Sequence, residues 1–158
     1  MYGLVPYNIS DIQKGIQHGH GVVEYMMKHM NKPETQYWAN NDKTFIILNG
    51  GTTNMGYQGD SKGTLNQYLD ELIVNNIDYA KFHEPDLGDQ LTSVNFLVDE
   101  RVWDKEKYPD RDFGGPLVNG DMVLTVYRTP ETEEHYIERL GGKKNVFLRD
   151  FLSKLRLA

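Results

Sequence analysis

The chain has 158 residues, 39% hydrophobic and 11% aromatic, which suits one folded domain able to bury roughly two-thirds of its unfolded-chain surface. A net charge of -6 argues against broad electrostatic attraction to nucleic acid or an anionic membrane, leaving only a local basic patch for such contacts. The absence of cysteine excludes disulfides and thiolate chemistry, fits a reducing cytoplasm, and confines any zinc site to His and carboxylate ligands.

The opening Met1-Tyr2-Gly3-Leu4-Val5-Pro6 lacks the basic head and long apolar run of a signal peptide. No stretch approaches the roughly 20 apolar residues that span a bilayer, so a soluble protein with no membrane contact is expected. Tyr2 to Val5 reads as a first strand ended by Pro6. Ser10 begins a capping box with Gln13 at the third helical position, and Asp11 suits the positive helix N-terminus. Ile12, Ile16, Gly19, Val23, Met27 and Met30 then recur at steps of four and three, which predicts one buried face on a helix from Ser10 to Met30. Pro33 stands just past its end as a stop signal.

Thr44 to Leu48 is β-branched and apolar, the pattern of a central strand covered on both faces. Asn49 to Gly63 reads as a polar loop, and Thr64 to Asn75 as a second amphipathic helix on Leu65, Leu69, Leu72 and Ile73. Tyr79 to Phe82 and Ser93 to Val98 are strand candidates flanking a polar turn, His83 to Gln90. Residues 1–98 thus read β-α-β-α-β-β, an order that predicts helices packed on a small mixed sheet. Beyond them, Asp99 to Tyr108 suits a short helix and Pro109 to Asp121 a loop, while periodicity leaves Met122 to Tyr127 open between strand and helix. Thr129-Pro130 suits the start of a helix ending at Gly141-Gly142, and Asn145 to Leu157 a last, basic helix. The Lys and Arg of that last helix read as solvated, with a phosphate- or RNA-contacting strip as the alternative.

Three groups of residues could carry chemistry. Gly15, Gly19 and Gly21 each cost the first helix about 1 kcal/mol relative to alanine. Gly15 and Gly19, one turn apart, would let another backbone or a ligand approach, with tight helix-on-sheet packing as the structural explanation. Gln13, Gln17, His20 and Glu24 align beside the apolar stripe. There Glu24 could orient the His20 imidazole while the amides offer donors and acceptors to a substrate, or His20 could simply be a satisfied boundary residue. His83, Glu84, Asp86 and Gln90 lie in a loop between strands, where function often resides, although taken alone they read first as a solvated acidic turn. His20, His83, Glu84 and Asp86 have no metal-motif spacing, so neither a metal nor a cofactor is expected.

Gln17-His18-Gly19-His20, followed by Gly21 and a valine, resembles the Gln-Cys-Ser-His of the type II peptidyl-tRNA hydrolase superfamily. The strand from Lys43 to Leu48, the Thr64 helix, the Tyr79 strand, Asp86-Leu87-Gly88 and Ser93 to Val98 resemble that family's strand, helix, strand, Asp-Ala-Gly turn and final strand. The resemblance covers residues 1–98. It implies a three-layer α/β/α fold with a small mixed four-stranded sheet; residues 99–158, which have no counterpart in the compact family members, read as a mainly helical extension within one domain, 1–158. It also implies an RNA- or tRNA-related hydrolase. His20 would be acid/base or polariser, Gln13 and Gln17 would position the substrate, Asp86 would orient a partner group, and Lys14 would place positive charge on an ester or phosphate oxygen. The family's catalytic lysine falls on Gln13, with Lys14 one position away and about 100° around the helix. Its Arg-Thr-Gln appears as Asp89-Gln90-Leu91 with Thr92 displaced, and its proline-containing insertion is missing.

The Ser10 to Gln17 and Lys144 to Leu152 segments also look like those of small uncharacterised proteins of large tailed phages and bacteria. That likeness fits an accessory protein in the cytoplasm, the host's if phage-encoded. The competing expectation is a non-catalytic module that sequesters a nucleotide-type ligand. A protein–protein adaptor using Trp103 to Phe113 is a third. The partners these readings allow are RNA, a nucleotide-type ligand and a second copy of the chain.

Overall fold

The computed structural model describes residues 1–53, 62–119 and 122–158, so most of the loop expected at Asn49 to Gly63 lies outside the described residues. The chain divides into two compact units, Met1–Val98 with Phe151–Ala158, and Asp99–Asp150.

The first unit is an α/β fold on a mixed four-stranded sheet. Its strands are β1 (Tyr2–Val5), β2 (Ile46–Asn49), β3 (Tyr79–Glu84) and β4 (Gln90–Phe96), in the spatial order β2-β1-β4-β3. β1 pairs parallel to β2 and antiparallel to β4, which in turn pairs antiparallel to β3. β2 is therefore an edge strand and not the central one its apolar run predicts. Its outer side is closed by the chain terminus: Asn49 donates to the Arg156 carbonyl and the Ala158 amide to Ile47. Such pairing protects an edge that would otherwise present free backbone groups.

One side of the sheet is apolar. Leu4, Val94 and Phe96 alternate toward α3 (Thr64–Val74), whose Leu65, Leu69 and Leu72 are buried. Phe151 completes that layer, its ring 5.6 Å from Tyr68 and 6.2 Å from Phe96.

The other side carries α1 (Asp11–His29), which starts where the sequence places it. Ser10 accepts from the Gln13 amide and Gln13 Oε1 accepts from the Ser10 amide. Its orientation overturns the expectation. Ile12, Ile16, Val23, Met27 and Met30 are 78, 51, 57, 71 and 55% exposed, whereas Gln17, His18, Gly21, Tyr25 and His29 are buried. The reason lies in the strands beneath. Opposite β3, the pairing steps from Phe82↔Ser93 to His83↔Leu91, so Thr92 is an extra residue in β4. This bulge brings Thr92 and Ser93 to the α1 side together with Asn95, and all three are fully buried. An apolar helix face laid on them would leave hydroxyls and an amide unsatisfied, at about 1–3 kcal/mol each. Gln17 and His18 instead supply partners. Farther along, Tyr25 packs with Met1, Trp38 and Ala80 in an apolar cluster.

The glycines are redistributed in the same way. A Cβ on Gly21 would lie 1.9 Å from Asn95 Oδ1, and one on Gly3 2.0 Å from His18 Nδ1. These two allow the helix to sit down on the sheet. Gly15 and Gly19, the pair expected to do so, face outward with nothing near. Pro33 is also more than a stop: it opens the short α2 (Pro33–Tyr37), which runs into a π-helical turn, Trp38–Asp42.

The second unit holds α4 (Glu100–Trp103), β5 (Gly115–Asn119), β6 (Met122–Arg128), α5 (Glu133–Arg139) and most of α6 (Lys143–Ser153). β5 and β6 pair antiparallel, so a region expected to be mainly helical, with a loop at Pro109 to Asp121, carries a two-stranded sheet. The β-branched and aromatic content of Val118, Val123, Thr125, Val126 and Tyr127 favours strands there. Among its described residues, Val102, Leu140 and Leu148 are buried apolar side chains. Among the described residues no helix is long and apolar enough to cross a membrane.

Candidate functional site

The N-terminal half of α1 and the paired ends of β3 and β4 bring together a compact polar constellation. Gln17 is central. Its side-chain amide donates to Glu84 Oε2 at 2.6 Å, and its oxygen accepts from the Thr92 hydroxyl at 2.5 Å. Glu84 reaches Gln17 because strand alternation puts it on the same side as Phe82, and Thr92 because of the bulge. One amide thus couples a carboxylate and a hydroxyl contributed by sequence positions 67 and 75 residues away.

Lys14 lies one turn before Gln17, its side chain 15% exposed and its Nζ 3.1 Å from the almost fully exposed Asp11 carboxylate. Such a pair is weak, so the ammonium is available to another anion. On the other flank His20 stacks on Phe82, ring centroids 4.5 Å apart and 21° from coplanar. His20 remains exposed.

Directly below, His18 Nδ1 accepts from the Asn95 amide at 2.9 Å, and Asn95 Oδ1 accepts from Ser93. Burial foremost, and the Met1 ammonium second, lower the His18 pKa from 6.5 to about 4. The ring is therefore neutral, with its proton on Nε2, which has no hydrogen-bond partner among the described residues. His18 is a packing and positioning group beneath the surface residues.

The other expected site residues are more dispersed. Gln13 is engaged in the capping box, and Glu24 is exposed on the outer part of α1. Gly15 and Gly19 face away from the sheet. His83 alternates to the opposite side of β3 from Phe82 and Glu84, with its pKa lowered by burial and by Lys81 against a smaller raising effect of Asp89. Gln90 pairs with Glu84 in the ladder. Asp86 sits exposed in the 3-10 turn Pro85–Leu87, and among the described residues no hydrogen bond joins it to Gln17 or His20. No set of three His, Asp or Glu side chains among the described residues is placed to hold a metal, so His20, His83, Glu84 and Asp86 do not form one. In the second unit Trp103 and Phe113 are exposed.

Glu84 as the partner of Gln17, along with Phe82, Thr92 and the His18–Asn95–Ser93 chain, lay outside the expected site. Their signal was present: Thr92-Ser93 and Asn95 are polar residues inside an otherwise apolar strand, and buried polar groups require partners.

Chemically, the constellation offers a cation in Lys14, a fixed amide in Gln17, a carboxylate in Glu84 and an exposed imidazole in His20. Those groups suffice to bind a polar ester or phosphate and to move a proton. No protein-family model matches the chain, and no curated protein matches it in sequence.

Proposed function

We propose that the α1–β3–β4 face binds an RNA- or nucleotide-related ester and hydrolyses it in the manner of the type II peptidyl-tRNA hydrolases that the chain resembles. The observation that carries this reading is the double clamp on Gln17 by Glu84 and Thr92, flanked by Lys14. A buried amide fixed on both sides is a preorganised donor, and preorganisation of this kind stabilises developing charge. Lys14 supports the reading further. It stands one turn from Gln17 with its side chain largely buried, while Gln13, which occupies the family's lysine position, is committed to the capping box. His20 would then serve as acid/base and Lys14 would neutralise the ester or phosphate oxygen. On this reading the protein works in the cytoplasm, the host's if a phage encodes it.

The test is release of the acyl group from a peptidyl-tRNA or a simple aminoacyl ester. Turnover that falls roughly 100-fold or more in His20→Ala and Glu84→Gln supports the hydrolase. A wild-type protein without turnover overturns it.

The His20–Phe82 stack favours a second reading at the same place. A histidine held flat on a phenylalanine is an aromatic platform, and base-on-aromatic stacking recognises nucleotides without chemistry. Stoichiometric nucleotide capture with no product, weakened by Phe82→Ala, would identify a sequestering protein.

A further inference from the structure

Most of the outer face of α1 has no role in the fold or in the site above. Its exposed residues form a regular seam. Exposed Ile12, Ile16, Gly19, Val23 and Met30, together with the half-buried Met26 that also packs on the Met1–Tyr25–Trp38–Ala80 cluster, succeed one another at alternating steps of four and three, the spacing by which two helices pack along a common line. Met27 widens the seam on one side, and Gly15 and Gly19 notch it on the other. Ile12, Ile16, Val23, Met27 and Met30 leave on the order of 600 Å² of apolar surface in water, the upper end of what a monomer's largest patch spans. A stable interface buries about 800 Å² per partner, so this apolar face by itself supplies most of the area one needs.

We propose that this face is covered by a second copy of the chain, the two α1 helices packing antiparallel about a twofold axis near Gly21. The seam is self-complementary in that direction. Antiparallel pairing sets Ile12 across from Met30 of the second copy, Ile16 across from Met26, and Gly19 across from Val23. Gly15 then lies across from Met27. The helix's small residues sit in its N-terminal half and its long ones in the C-terminal half, so each notch receives a bulky side chain and closure is isologous. Antiparallel helices also place the positive N-terminus of each beside the negative C-terminus of the other. The two outward glycines, unexplained by the monomer, are thereby explained as notches that receive Met27 and Val23 of the second copy. This inference does not rest on the proposed chemistry.

The test is the mass of the intact protein by analytical ultracentrifugation across a micromolar concentration series. A dimer is expected. Ile16→Glu and Val23→Glu should each raise the dissociation constant roughly tenfold or more, since an ionised carboxylate would be buried in the seam. Both positions are exposed in the monomer, so circular dichroism of the variants should be unchanged. With no native cysteine, Ile16→Cys combined with Met26→Cys should oxidise to a covalent dimer, whereas Ile16→Cys alone should not. A protein that stays monomeric at every concentration overturns the proposal. So does an Ile16→Glu variant that dimerises as wild type, an Ile16→Cys single variant that cross-links efficiently, or a monomer that binds neutral lipid vesicles through this face.

Discussion

Asn95 donates its side-chain amide to His18 Nδ1 at 2.9 Å, between α1 and the middle of the sheet, with both residues buried. Two polar groups in such a layer hold each other in place, and removing one strands the other. His18→Leu and Asn95→Leu should each lower the unfolding free energy by about 2–3 kcal/mol. The double variant should cost less than the sum, because it leaves fewer orphaned groups. Urea denaturation of the four proteins measures the coupling, and strict additivity would remove His18–Asn95 as a cooperative unit.

The same histidine makes stability pH-dependent. Its folded pKa of about 4 lies below the ordinary 6.5, so between those values the unfolded chain binds the proton that the folded protein refuses. Stability from this group is complete above pH 6.5 and falls as the pH drops through 4, by about 3 kcal/mol in all. Unfolding free energies measured from pH 4 to 7 should show that slope in the wild type. The slope should flatten in His18→Gln, which titrates nothing; an identical slope in the variant would assign the effect to other groups.

Gly21 and Gly15 should respond oppositely to alanine. At Gly21 the new Cβ would meet Asn95 and Ser93, at 1.9 and 2.5 Å, and neither can move without breaking its hydrogen bonds. Gly21→Ala should therefore destabilise by about 2–4 kcal/mol, as overpacking does in a filled interior. At Gly15 nothing stands within 4 Å of the new methyl group. Gly15→Ala should raise monomer stability by about 0.5–1 kcal/mol through helix propensity, read at concentrations where the chain is not associated. Thermal midpoints compare the two directly.

What the sequence made legible follows from the range of each signal. The start of α1 is a local matter, settled by Ser10 and Gln13 within one turn, and the helix begins at Asp11. Which face of α1 turns inward depends on β4, more than seventy residues away, where a bulge at Thr92 creates a polar floor. Periodicity within the helix carries no information about that floor. It registered a true apolar seam, Ile12 to Met30, and assigned it to the wrong side. Gln17 emerged from helical spacing and from resemblance, but its partner Glu84 did not, since pairing across β3 and α1 is a property of the tertiary arrangement. β2 was misplaced for a related reason: an apolar run looks alike in a central strand and in an edge strand covered by the chain terminus.

In the second unit, Arg149 and Asp110 form an ion pair at 3.0 Å whose two ends are differently placed. The arginine side chain is 4% exposed and the carboxylate 59%. Arg149 also donates to the Arg101 carbonyl, while Asp110 keeps a second cation, Lys105, at 3.0 Å. Deleting the carboxylate leaves a buried guanidinium without its counter-ion. Deleting the guanidinium leaves a solvated carboxylate that is still paired, with only the Arg101 carbonyl unsatisfied. Asp110→Ala should accordingly cost about 2–3 kcal/mol, although it removes the more exposed residue. Arg149→Leu, which fills the same volume with apolar atoms, should cost about 1 kcal/mol or less. Hydrogen exchange of the amides in residues 99–150 reads both effects. A larger loss of protection in Arg149→Leu than in Asp110→Ala would mean that the guanidinium contributes more through its bond to the Arg101 carbonyl than its burial costs.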